Sequence, residues 1–244
     1  MRTNLFAFFQ LLFAFITTVS GASFQNLGFE LADLAPVPSG EYGNFVPATN
    51  AIPKWEGYLG ASPATQVWHN NLALGSANIS ILGPYWPTAA IIEGQYTVVL
   101  QSGVGIGGYV GAAIAQTGFM PSNSLSIQLK VLGANLDVTF AGTVIPLIQL
   151  GGGSNYVLYG GDVSAFAGQV GELRLTSVPT SERPFNNVSI DAIAFSPEPI
   201  PEPQVYCLFG TAMLLVAWRL RGTVTKRGQS SLLLALEMER CRRP

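Results

Sequence analysis

Short runs in which apolar and polar residues alternate fill the middle of the chain. In residues 124–132 (SLSIQLKVL), positions 125, 127, 129 and 131 are Leu, Ile, Leu and Val, and the positions between them are Ser, Gln or Lys. This period of two is typical of a β-strand with one buried face. Residues 136–140 (LDVTF) repeat the pattern after the segment Gly133-Ala134-Asn135. The two runs together predict a hairpin.

Comparable runs recur along the chain as ISIL, YTVVLQ, TVIPLIQL, NYVLYG, GELRLT and VSIDAIAF. They are separated by turns rich in Gly, Pro, Asn and Ser, and no long run with a helical period of 3.6 lies between residues 23 and 199. About ten short strands with such turns predict an all-β domain, a β-sandwich of the jelly-roll type.

The two ends of the chain follow other patterns. Arg2, an apolar run over residues 5–16 interrupted by Gln10, and small residues up to Ala22 predict a signal peptide over residues 1–22. Residues 23–198 then form the sandwich ectodomain. Residues 205–218 are fourteen uncharged positions, which predicts a single, short membrane helix at about 204–220.

The residues that flank this apolar run form a motif. Pro201, Glu202 and Pro203 precede it, and Arg219 and Arg221 follow it. With a signal peptide at the other end, residues 199–221 resemble the C-terminal sorting signal of bacterial PEP-CTERM proteins. The resemblance implies export, recognition by an exosortase in the inner membrane, and release to the cell surface or an exopolysaccharide matrix. Residues 222–244 continue beyond the usual pattern as a basic tail.

Charge is distributed unevenly. Residues 23–199 contain eleven acidic and four basic residues, a net charge of −7, whereas residues 219–244 contain seven basic and two acidic residues, a net charge of +5. The acidic ectodomain excludes nucleic acid as an expected partner, because phosphate binding needs clustered Lys and Arg. A basic block beside an apolar run instead indicates a cytoplasmic flank of a membrane segment.

A second resemblance concerns the ectodomain. NLGFE (26–30) with IPKW (52–55), and GDVSAFAGQVGELRLT (161–176) with NNVSIDAIAFS (186–196), are similar to the opening and closing segments of galactose-binding-like jelly rolls. The resemblance implies an opening strand at 26–30, a core position for Trp55, and proximity of Glu30 and Asp191, where such folds often hold a structural calcium ion. Two carboxylates are fewer than the six or more oxygens that calcium takes, so no cofactor is expected and calcium stays an alternative.

Several residues raise the question of a ligand or a reaction. In GPYWPT (83–88), the proline-flanked aromatics Tyr85 and Trp86 are the candidates for glycan contact. The spacing G-x-G-x-x-G occurs at 103–108, but no acidic residue lies between Glu93 and Asp137, so a glycine-rich loop between strands is expected instead of a dinucleotide site. His69 is the single histidine and is expected on the surface or in a loop.

The sequence therefore predicts an exported, non-catalytic bacterial surface or matrix protein with a structural or adhesive role. Its expected partners are the exosortase machinery, the bacterial membrane and exopolysaccharide. The alternative is a carbohydrate-binding module that engages exopolysaccharide through Tyr85 and Trp86. A secreted glycan-active enzyme ranks third, because no pair of carboxylates can be placed at catalytic distance from sequence alone.

Overall fold

A computed structural model describes residues 21–86 and 90–200 of the chain, and these belong to one compact unit that ends at Ile200. Three predicted features lie outside the described residues. They are the apolar part of the signal peptide, the sorting motif Pro201-Glu202-Pro203, and the membrane stop Arg219 and Arg221. Within the described ranges no helix has the length and apolar character needed to cross a membrane.

The described part of the chain is almost entirely β-structure. Its helical elements include α1 (Ala48–Ala51) and a 3-10 turn (Ser164–Phe166). The strands are β1 (Phe45–Pro47), β2 (Glu56–Leu59), β3 (Ser62–Ala64), β4 (Gln66–His69), β5 (Asn78–Leu82), β6 (Thr97–Gly105), β7 (Gly108–Val110), β8 (Ala112–Phe119), β9 (Ser126–Leu132), β10 (Leu136–Phe140), β11 (Thr143–Val144), β12 (Ile148–Gly152), β13 (Val157–Asp162), β14 (Val170–Ser177) and β15 (Asn186–Ser196).

These strands form two sheets. The larger has the order β1-β4-β5-β6-β15-β9-β13-β12, with β7 paired to β6, and the smaller has the order β11-β10-β14-β8-β2-β3. Strands β4 and β5 run parallel, and the other strand pairs are antiparallel.

A single apolar core lies between the two sheets. Ile79 and Ile81 of β5 and Leu129 of β9 belong to the same buried cluster as Ile114 of β8 and Leu173 of β14. Alternate residues of the central strands β5, β6, β8, β9, β14 and β15 supply this core, as the period of two predicts. The predicted all-β sandwich is confirmed at this level.

The predicted hairpin between residues 124–132 and 136–140 is wrong. Strand β9 pairs with β13 and β15 in the larger sheet, whereas β10 pairs with β14 in the smaller one. The connection crosses from sheet to sheet through Gly133 and Asn135, both with positive φ (121° and 58°). Both strands bury their apolar faces in the same core, β9 from the larger sheet and β10 from the smaller one. Alternation alone does not show to which sheet a strand belongs.

The predicted opening strand at residues 26–30 is also wrong. The segment forms a turn in which Asn26 and Phe29 have positive φ (52° and 60°). Phe29 is fully buried and lies 5.9 Å from the ring of Trp55. The Trp55 indole N–H donates to the carbonyl of Asn26 (3.0 Å). The core position predicted for Trp55 is therefore confirmed, and residues 26–30 pack against it as a turn.

The predicted loop is only a two-residue turn, Ile106-Gly107, and the glycines at 103, 105 and 108 lie in the strands that flank it. Strands β6 and β7 pair as a hairpin in which Gly105 lies opposite Gly108, and Gly107 and Gly108 have positive φ. A Cβ on Gly103 would lie 2.5 Å from the carbonyl oxygen of Gly75. Close backbone approach and turn geometry account for these glycines.

Candidate functional site

The segment that carries Tyr85 and Trp86 is a tight turn at the end of β5. Trp86 N–H donates to the carbonyl of Gly83 (3.1 Å), Pro84 occupies the second position, and Tyr85 occupies the third with φ 73°. A turn with proline second and a positive φ third normally carries glycine at the third position. A tyrosine there strains the backbone by roughly 1–2 kcal/mol.

Asn70 fixes this turn to the end of β4. Its side-chain oxygen accepts from Gly83 N–H (2.7 Å), and its side-chain amide donates to the carbonyl of Pro84 (3.0 Å). Asn70 itself is 1% exposed and has φ 46°, a conformation that asparagine tolerates better than most residues. The aromatic turn is therefore held by a buried side chain, and its geometry does not depend on a ligand.

Tyr42 completes an aromatic cluster with this turn. Its ring centroid lies 6.3 Å from that of Trp86 at an interplanar angle of 62°. Tyr42 is 75% exposed and Tyr85 is 64% exposed, whereas Trp86 is half-buried. Gly43 N–H donates to the carbonyl of Asn70 (3.1 Å), which ties the Tyr42 segment to the residue that holds the turn. Tyr42, Tyr85 and Trp86 are called the aromatic site below.

The three chain segments that build the aromatic site carry no positive charge. Segments 41–45, 68–71 and 83–86 contain one charged residue, Glu41, and no Lys or Arg. Asn44 presents an exposed side-chain amide beside Tyr42. Exposed rings with phenol and amide groups can pack against the C–H faces of a sugar and hydrogen-bond its hydroxyls.

His69 lies beneath the turn and not on the surface, which corrects the prediction. It is 4% exposed, on strand β4, and its Nε2 lies 3.5 Å from where a Cβ on Gly83 would be. Burial lowers the pKa of its imidazole, so the ring is neutral at pH 7. His69 supports the floor of the aromatic site.

Three other aromatic side chains make their contacts outside the aromatic site. Trp55 is in the core, Trp68 stacks on Phe45 with centroids 3.9 Å apart, and Tyr109 packs against Phe185. Tyr109 pairs with Val104 near the end of β6, whereas the aromatic turn follows Leu82, which pairs with Thr97 at its start. About seven residues of strand, roughly 23 Å, separate these points. Tyr109 therefore belongs to the opposite end of the sandwich.

Glu30 and Asp191 do face the same segment of chain, residues 93–97. Glu30 accepts from the N–H groups of Gln95 and Tyr96 (3.0 and 3.2 Å). Asp191 is 1% exposed and accepts from the Thr97 hydroxyl (2.7 Å) and from Glu93 N–H (3.1 Å). The Ala192 N–H donates to its other oxygen (2.7 Å).

This arrangement does not supply a calcium ligand set. The carboxylate oxygens are occupied by hydrogen-bond donors, and two carboxylates fall short of the six oxygens that calcium takes. Among the described residues no group of three or more His, Cys, Asp or Glu side chains is placed to hold a metal ion. Calcium binding by Glu30 and Asp191 stays a prediction that this geometry does not favour.

The carboxylates that a glycosidase would need make other interactions. Glu56 accepts from the Tyr58 hydroxyl, Glu93 pairs with Lys130, and Asp162 accepts from Ser164 N–H. Through the last contact, Asp162 caps the turn before the 3-10 helix. These three carboxylates belong to β2, to the segment before β6 and to β13, and each is engaged by its own neighbour.

Sequence reasoning missed Tyr42 and Asn70. Tyr42 stands in the short polar segment GEYGN (40–44), where a lone aromatic flanked by glycines could have been taken as a loop contact residue. Asn70 gave no such indication, because its role depends on a turn thirteen residues later.

No family model and no curated protein matches the chain. Among solved structures, one of TmCBM61 in complex with beta-1,4-galactotriose aligns at 13% identity and a TM-score of 0.40, covering 73% of this chain and 100% of that one. The apo form of a cyclase from Fischerella sp. aligns at 14% identity and a TM-score of 0.42, covering 71% of this chain and 94% of that one. Sequence identities and TM-scores as low as these do not indicate a function.

Proposed function

We propose that the sandwich is a non-catalytic glycan-binding module that holds a sugar against the aromatic site. The observation that carries the proposal is Tyr85, whose ring is 64% exposed on a strained backbone that a buried asparagine holds in place. Strain of this kind persists where the exposed side chain has a use. The Tyr42–Trp86 pair beside it adds a second aromatic surface.

The charge of the domain selects the class of glycan. Uronic acids and sulfated sugars need Lys or Arg partners, and the segments of the aromatic site contain none. The net charge of −7 over residues 23–199 repels polyanions further. The proposed ligand is therefore a neutral polysaccharide, and its binding should vary little with salt, since no ion pair contributes.

Titration of the full chain with neutral and acidic oligosaccharides tests this proposal through tryptophan fluorescence and calorimetry. Trp86→Ala should weaken binding of a neutral glycan roughly tenfold, the loss expected for one aromatic contact. Tyr85→Gly should weaken it too, while raising the free energy of unfolding by about 1 kcal/mol, because glycine relieves the positive φ.

Tyr109→Ala is the matched control, since Tyr109 is exposed to a similar degree (56%) at the opposite end of the sandwich. It should leave glycan affinity unchanged. Binding that survives both Trp86→Ala and Tyr85→Gly contradicts the aromatic site. The cavity of about 250 Å³ lined by Asn135, Asp137 and Tyr159 would then be the next candidate binding site. Preference for an acidic glycan contradicts the proposed ligand class.

We also propose that the chain is exported and sorted through residues 199–221, and that its role at the cell surface or in an exopolysaccharide matrix is structural or adhesive. The support comes from Pro201, Glu202 and Pro203, the apolar run after them, and Arg219 and Arg221. Mass spectrometry of the native protein after cell fractionation tests the sorting step. An exported chain without the apolar run supports it, and a chain that still ends at Pro244 in the inner membrane contradicts it.

A further inference from the structure

The end of the sandwich opposite the aromatic site carries a cluster of exposed apolar side chains. Leu74 is 102% exposed and Ile106 is 92% exposed, and Val104, Tyr109 and Phe185 are each about half exposed (52%, 56% and 51%). These five residues are called the apolar tip. Scattered exposed apolar residues are ordinary on a protein surface, whereas a contiguous group indicates an interaction site.

The five side chains come from three loops that contact one another: residues 70–77, the tip of the β6–β7 hairpin (104–109), and residues 178–185. Tyr109 and Phe185 form an edge-to-face pair with ring centroids 5.4 Å apart. The Phe185 ring also lies 3.3 Å from where a Cβ on Gly75 would be. Ala77 N–H donates to the carbonyl of Val104 (2.9 Å), and Val104 N–H donates to the carbonyl of Gly75 (2.9 Å). The apolar tip is therefore one continuous surface.

Charged residues are nearly absent from these loops. Residues 57–92 and 94–129 contain no Asp, Glu, Lys or Arg, and they include two of the three loops. The third loop contributes Glu182 and Arg183, which cancel. These loops therefore carry no net charge that would favour a charged partner.

The shape of the apolar tip distinguishes between the remaining partners. Its two most exposed residues, Leu74 and Ile106, are aliphatic, and Ile106 lies in the turn between β6 and β7, whereas the half-exposed aromatics Tyr109 and Phe185 pack against each other. A stable protein interface buries roughly 800 Å² on each partner, more than five side chains on three narrow loops expose. Fully exposed aliphatic residues beside half-exposed aromatics suit a lipid bilayer, because apolar side chains enter the acyl boundary and Tyr rings lie at the headgroup level.

We propose that the apolar tip inserts into the surface of a lipid bilayer, with Ile106 and Leu74 entering the acyl chains and Tyr109 and Phe185 at the headgroup level. The interaction is apolar, so zwitterionic lipid suffices. It is also weak, because a few apolar side chains give only marginal and reversible membrane binding. This proposal is independent of the glycan-binding proposal, since the two surfaces lie at opposite ends of the sandwich.

The full chain with Ile106→Trp tests the proposal, because the new tryptophan reports on the apolar tip itself. Binding of the whole chain to vesicles would not be sufficient, since the apolar run at 205–218 can bind vesicles by itself. Phosphatidylcholine vesicles should shift the emission of the introduced tryptophan, taken as the difference from the unsubstituted chain, to shorter wavelength. Lipids brominated in the acyl chains should quench it. Adding Leu74→Ser to Ile106→Trp should raise the lipid concentration needed for half of the shift about tenfold.

Val144→Trp provides the matched control, because Val144 is 59% exposed on β11, at the edge of the smaller sheet. Its emission should not respond to vesicles. The proposal is overturned if the Ile106→Trp probe shows no shift and no quenching, or if the Val144→Trp probe responds equally. It is also overturned if the shift appears without lipid and grows with protein concentration, since a second copy of the chain would then cover the apolar tip.

Discussion

Asp191 is a carboxylate that the fold encloses. It is 1% exposed, and burial raises its pKa from 3.8 to about 6, with the nearby Glu30 carboxylate acting in the same direction. The Thr97 hydroxyl and the N–H groups of Ala192 and Glu93 donate to it and lower the pKa, but they do not offset burial. The native state therefore binds a proton at this site more tightly than the unfolded chain does.

This difference makes the stability of the domain depend on pH. The stabilisation from the protonated Asp191 is complete below about pH 4 and is lost as pH rises through about 6. A change of about two pKa units corresponds to up to about 3 kcal/mol. The free energy of unfolding, measured by urea titration between about pH 4.5 and 7.5, should therefore fall as pH rises.

In Asp191→Asn this slope should disappear, because an amide does not titrate in this range. Asp137→Asn, at an exposed position on β10, should keep the slope of the unsubstituted protein. An equal slope in Asp191→Asn would show that another group titrates.

At the scale of secondary-structure elements, the β6–β7 hairpin shows why a glycine pattern is ambiguous. Gly103, Gly105 and Gly108 match a phosphate-binding spacing, yet each serves the packing of a strand or a turn. Gly103 allows residues 75–77 to pass close to β6, and Gly108 adopts φ 134°. The glycine spacing alone does not indicate a phosphate-binding site. In dinucleotide-binding folds the phosphate lies at a helix N-terminus that follows the glycine-rich loop.

Gly103→Ala should therefore destabilise the domain by roughly 2 kcal/mol or more, since the added Cβ meets backbone atoms that cannot move independently. Gly151→Ala is the matched control, because Gly151 also lies in a strand, β12, and a Cβ there meets nothing within 4 Å. It should change the free energy of unfolding by less than about 1 kcal/mol. Equal losses in the two variants, measured by chemical denaturation, would contradict the role assigned to Gly103.

The strand assignments show that local sequence patterns locate strands but do not specify which strands pair. Alternation locates β9 and β10, yet it assigns them to one hairpin when they belong to different sheets. The pattern of residues 143–150 (TVIPLIQL) predicts one strand, but they contain β11 and the start of β12 with Pro146 between them, because proline cannot donate a hydrogen bond in a ladder.

At the scale of the whole molecule, the proposed processing would change the charge of the protein. The full chain has a net charge of −2, and removal of the basic C-terminal region with the signal peptide leaves the acidic ectodomain at −7. The released protein should therefore focus well below the pI of about 5.4 that the full sequence gives. Isoelectric focusing of the secreted fraction beside the mass measurement checks this, and a species that focuses near a pH of 5.4 would contradict removal.

The sequence by itself determined the class of fold and the loop that exposes Tyr85. Each of these depends on the burial period of a short segment or on the preference of a residue for a turn. The tertiary structure alone decided the partners: Tyr42 beside Trp86, Asp191 beside Glu93, and the three loops of the apolar tip. The physical reason is separation along the chain. Asp191 accepts a hydrogen bond from a residue 98 positions away, and no local pattern encodes which strand of a sandwich lies beside which.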